Sequence, residues 1–110
     1  MKLYIAVLDE FPDYMTPTLV AHAVLGYHVG MNKIPDYKEW LSLSFKKVVV
    51  RVNQKEFDKI SVLDKVYLGH ENKTLNSKKS CAVWLDNGKD VVPNVLKYAK
   101  LWKPKESNNG

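Results

Sequence analysis

Apolar positions along the chain gather into four runs with strand character, separated by stretches in which they recur at helical spacing. Lys2 to Leu8, KLYIAVL, is almost continuously apolar and predicts a buried central strand. Lys46 to Val52, KKVVVRV, is the clearest strand in the chain. Asp64 to His70 and Ser80 to Leu85 predict a third and a fourth. After the first strand, Thr16 reads as an N-cap and Pro17 as the first helical residue, where a missing N–H costs nothing. Leu19, Val20, Ala23, Val24 and Tyr27 then share one helix face, His22 lies at its margin, and the helix should stop near Gly30.

Asp36 and Glu39 form a capping-box pattern that predicts a short helix from Tyr37 to Leu43. Asn53 and Glu56 repeat the pattern ahead of a helix that buries Phe57 and Ile60. Asp86-Asn87-Gly88 reads as a turn. Asp90 then caps a last helix with Val92, Val95, Leu96 and Ala99 inward and Pro93 in its first turn. The order is β-α-α-β-α-β-β-α, an α/β fold with a mixed four-stranded sheet flanked by helices. Lys100 to Trp102 suit a short returning edge strand. Residues 1–103 make one domain, and 104–110 form a polar tail expected to be disordered.

Composition narrows the function classes only modestly. Hydrophobic content of 45% and charged content of 26% describe an ordinary globular domain. No apolar run is long enough to span a bilayer, no signal-peptide pattern opens the chain, and Cys81 has no cysteine partner, so a cytoplasmic protein is expected. The net charge of +5 favours polyanion partners, and Arg51 is the only arginine. Lysine contacts to a phosphate backbone fit this composition better than bidentate reading of bases.

The sequence carries no metal-ligand spacing, no phosphate-binding glycine loop and no Gly-x-Ser-x-Gly elbow, so no metal or cofactor is expected. Cys81 sits in an apolar strand, where a cysteine is ordinarily core rather than a nucleophile paired with His22. The polar loop GHENKTLNSKKS holds Glu71 as acid or base, Lys73 as cation and Thr74 as hydroxyl donor. Lys73, Lys78 and Lys79 are the candidate RNA contacts. If this loop and the start of the first helix share a sheet edge, their groups converge as in strand-end sites of open α/β sheets.

Four passages together resemble the type II peptidyl-tRNA hydrolase family: KLYIAVLDE, LVAHAVLGYH, YKEWLSLSFKKVVVRVNQKEFDKI and SCAVWLDNGKDVVPNVLKYAKLW. His22-Ala23 match the His-Ala of that family's first helix. The resemblance covers most of residues 2 to 102 and implies cleavage of the ester joining a peptide to tRNA. The family's lysine, however, falls on Met15 and its glutamine on Leu19. Its loop aspartate falls on His70, with Glu71 beside it as a substitute. Lys73 and Thr74 keep the loop's cation and hydroxyl, and a second threonine falls near Ser80 or Cys81. A cation beside a reacting ester stabilises charge developing on oxygen, which Met15 and Leu19 cannot do. Two readings follow. One is a divergent hydrolase of peptidyl- or N-blocked aminoacyl-tRNA using Lys73, Thr74, Glu71 and His22. The other is an inactive relative that binds tRNA, another RNA or a protein. No membrane partner is expected. The chain is a monomer, or a homodimer anchored by Trp40, Trp84 or Trp102.

Overall fold

The computed structural model describes residues 1–71 and 78–105, with the side chains of residues 70, 71 and 78 outside the description. The strands are β1 (Lys2–Leu8), β2 (Lys47–Val52), β3 (Tyr67–Glu71), β4 (Lys78–Asp86) and β5 (Lys100–Leu101). The helices are α1 (Thr16–Met31), α2 (Pro35–Glu39), α3 (Gln54–Ser61) and α4 (Asn94–Lys97). A 3-10 turn over Asp13–Met15 leads into α1, and a π-helical turn over Trp40–Ser44 extends α2. The sheet is mixed, in the order β3-β4-β1-β2-β5. It has five strands rather than the four expected, because Lys100–Leu101 pair antiparallel with β2 and cover its outer edge.

β1 is the centre of the sheet. It runs parallel to β2 and antiparallel to β4, and every residue from Leu3 to Leu8 is buried. That is the burial its unbroken apolar run demands, since helices cover both faces. Side-chain alternation assigns the faces. Leu3, Ile5 and Val7 share the α1 face with Val83, Cys81 and Gly69, and a methyl at Gly69 would stand 2.9 Å from the Ala23 side chain. Tyr4, Ala6 and Leu8 share the other face with Trp84, whose indole N–H donates to the Asp64 carbonyl just beyond α3 (3.2 Å). Leu19, Ala23 and Tyr27 are the α1 positions buried against the sheet, and Phe57 and Ile60 serve α3.

Local signals succeeded where a side chain satisfies an exposed backbone donor. Asn53 accepts from the Glu56 N–H (2.8 Å) while Glu56 accepts from the Asn53 N–H (2.9 Å), completing the capping box of α3. Other expected caps are absent. Met15, not Thr16, precedes α1, and no side chain caps that helix. Asp36 lies within α2 and turns to Asn87 instead. The last helix is only Asn94–Lys97, because Pro93 has extended backbone and Asp90 is held by Asn87. The helical segment after α2 ends at Phe45, a non-glycine residue in the left-handed region (φ 59°). Beyond β5, the Lys105 N–H donates to Asp13; positions 106–110 of the expected tail lie outside the described residues.

Candidate functional site

The strand register places the two ends that flank the polar loop. Gly69 and Val7 both pair with Cys81, so β3 ends and β4 begins at the edge where β1 ends and α1 starts. The shared edge expected for a strand-end site is therefore present in the flanking strands. Its chemistry is sparse among the described residues. Leu19 is 2% exposed within the core and Met15 packs against that core, so neither position brings a polar group here, while Thr16 buries its hydroxyl at the start of the helix. His22 is exposed, on a shallow depression it shares with Pro17, Thr18, Ala21 and Leu25. Lys79 is exposed on β4. Glu71 and Lys78 pair across the β3–β4 ladder, while Lys73 and Thr74 lie outside the described residues. Burial among apolar atoms pushes the Cys81 thiol up to about 12, so it stays protonated and forms no nucleophilic pair with His22.

The burial of Leu19 makes a direct prediction. Leu19→Gln, which would place an amide at this position, should cost about 2–4 kcal/mol, since the amide would enter an apolar core without partners. A urea unfolding midpoint unchanged from the parent would show that this position has room for a functional amide.

A second feature lies at the opposite end of the sheet, where β3 begins and β4 ends. A cleft of about 680 Å³ opens between the end of α1, the α3–β3 connection and the turn after β4. That volume is within the range of small-molecule sites. Tyr27, Leu63 and Trp84 supply apolar lining, and Asp36, Asn87 and Asp90 supply polar lining. The Asn87 side-chain amide donates to Asp36 (3.1 Å) and to Asp90 (3.0 Å), drawing two carboxylates to one nitrogen. That Asn87 bond, with Lys89 at 3.4 Å, holds the Asp36 carboxyl below its ordinary range. Tyr37 shares a hydrogen bond with His28 Nδ1 (2.7 Å) and meets Tyr27 edge-on, with ring centroids 5.3 Å apart. Burial, with Tyr37 and Asp36 nearby, pushes the Tyr27 hydroxyl up to about 12. The sequence reading missed this cleft, since Asp36 looked like a cap and Asn87 like a turn residue.

Positive charge gathers elsewhere, on the β2–β5 border. Arg51 pairs across the ladder with Lys100, and alternation puts Lys47 and Trp102 on the same face. Like charges directly opposite repel, and Asp13 offsets this by binding Arg51 at 3.1 Å. The Lys105 N–H and the Arg51 guanidinium together lower the Asp13 pKa. Cations sit over rings here: Arg51 is 5.0 Å from the Trp102 centroid and Lys47 is 3.3 Å from that of Phe45. The Trp102 indole N–H is buried without a hydrogen-bond partner among the described residues. Trp40 is buried in the core, which removes it as a dimer anchor; Trp84 is exposed only along the cleft, and Trp102 is half-buried.

Among the described residues, no group of three or more His, Cys, Asp or Glu side chains could hold a metal, and no helix is long and apolar enough to cross a membrane. No family model and no curated protein matches the chain.

Proposed function

We propose that this chain is an RNA-binding relative of the type II peptidyl-tRNA hydrolases that has given up ester cleavage. The observation that carries the reading is the β2–β5 face, where Lys47, Arg51 and Lys100 stand on one side of two paired strands beside Trp102 and the exposed Phe45. Cations interleaved with aromatic rings suit a single-stranded RNA segment, whose phosphates meet lysines while unstacked bases lie on rings. Two apolar side chains support the loss of cleavage, because Leu19 lies in the core and Met15 packs against it where the family resemblance implies a glutamine and a lysine. Arg51 is already engaged by Asp13, which leaves Lys47 and Lys100 as the stronger phosphate contacts.

Fluorescence anisotropy with a labelled single-stranded RNA tests this. With two phosphate contacts, log K should fall with log salt at a slope of about −1.4. Lys47→Glu/Lys100→Glu should weaken binding by about tenfold or more and flatten that slope. Unchanged affinity in the double variant, or a complex insensitive to salt, would refute the reading. Release of free tRNA from N-blocked aminoacyl-tRNA, abolished in Lys73→Ala and Thr74→Ala, would restore the hydrolytic alternative.

A further inference from the structure

We infer that the cleft between Tyr27, Asp36, Trp84 and Asp90 is a binding site for a small organic cation with an apolar or aromatic body. This goes beyond the RNA reading and stands independently of it, since the cleft lies at the other end of the sheet from the loop flanks and uses none of the β2–β5 cations.

Charge is the first reason. The chain as a whole carries +5, yet the cleft is lined by three carboxylates, Asp36, Asp64 and Asp90, against one ammonium, Lys65. Two of those carboxylates converge on the Asn87 amide, whose two hydrogens cannot neutralise two charges. The nearest protein cation is Lys89, which reaches Asp36 at 3.4 Å with 69% of its side chain exposed. An exposed ion pair of that kind is weak and readily displaced. A ligand ammonium can take its place.

An unused hydroxyl is the second reason. Tyr27 is 4% exposed and lines the cleft, yet its hydroxyl has no hydrogen-bond partner among the described residues. Its neighbour Tyr37 uses its own hydroxyl on His28. The rest of Tyr27 is buried, so this open hydroxyl is what the residue presents at the cleft, where a ligand can engage it.

The apolar surfaces set the rest of the ligand. The Trp84 N–H is taken by the Asp64 carbonyl, so the indole has no donor left for a ligand and contributes its ring. Leu63, Met31 and Leu85 add aliphatic surface around it. A cation over an indole in a partly desolvated site gains from the ring quadrupole, and an apolar body gains from leaving water. An anion of the same shape would keep the apolar gain, but it would be repelled by the carboxylates and lose the attraction to the ring.

The test uses tryptamine as probe and indole-3-propionate as its shape-matched anion, read by amide correlation spectra of the full chain. Tryptamine should shift the Trp84 indole and Asn87 side-chain signals saturably, and indole-3-propionate should not. Asp36→Asn/Asp90→Asn should weaken tryptamine by about tenfold, the loss expected for charge-assisted contacts. Lys89→Ala, at an exposed position that leaves packing intact, should tighten it by freeing Asp36. Equal binding of the two probes would overturn the inference. So would shifts confined to other residues, or tryptamine affinity unmoved by both variants.

Discussion

Trp40→Ala is expected to remove about 3–5 kcal/mol of stability, the usual cost of emptying a buried tryptophan site. Trp40 is 1% exposed. Its ring packs between Tyr37, with centroids 5.5 Å apart, and Phe45, at 5.4 Å. Its indole N–H donates to the Lys46 carbonyl at 2.7 Å, which fixes the entry into β2. Deletion leaves a cavity and removes one of the two donors to the Lys46 carbonyl, which keeps the Leu3 N–H at 2.9 Å. Against a total of about 5–15 kcal/mol for a domain of this kind, a loss of that size brings unfolding close to ambient conditions. Urea unfolding should show it, and Trp40→Phe should separate the parts. The phenyl ring retains much of the packing and loses only the indole donor to a carbonyl that the Leu3 N–H still satisfies, for about 1 kcal/mol. An alanine variant as stable as the parent would mean that the π-helical turn does not anchor β2.

The second large effect is expected at Gly69, where α1 meets β3. A Cβ there would sit 2.9 Å from the Ala23 Cβ and 3.2 Å from its Cα, and the latter is helix backbone that cannot rotate aside. Gly69→Val should therefore push α1 off the sheet at a cost of about 2–3 kcal/mol, toward the upper end for overpacking. A β-branched residue normally favours a strand, so a propensity argument alone predicts the opposite sign. The unfolding midpoint decides between them. A stabilised variant would mean that the helix yields freely and that the close contact does not set its position.

The sheet was legible where the chain repeats one physical demand over several residues. KLYIAVL is an unbroken apolar run of the kind that a strand covered on both faces needs, and Val48 to Val52 are rich in β-branched residues. The α3 capping box was legible because both partners lie within four residues of each other. What escaped depends on partners far apart in sequence. Asp36 and Glu39 have the spacing of a capping box, yet Asp36 is claimed by Asn87, more than fifty residues away. The cleft is built from the end of α1, the α3–β3 connection and the turn after β4, and no local pattern marks such a meeting. The fifth strand was legible as three residues, Lys100 to Trp102, although its partner was not. His22 looked distinctive only because histidine is rare beside apolar residues; one step around the helix from Ala23, it is exposed.

The register of the central strand bears on how the chain reaches this state. Lys2 pairs with Asp86 and Val7 with Cys81, so the middle of the sheet joins segments made early and late during synthesis. A nascent chain in which only β1, α1 and β2 have emerged still lacks the strand that fills the other side of β1. Its most apolar segment then has an open flank until Asp86 has emerged. Closing so long a loop is slow, because its entropy is lost before any contact compensates. Ribosome-bound intermediates of this protein are therefore a stage at which a holding chaperone has something to cover.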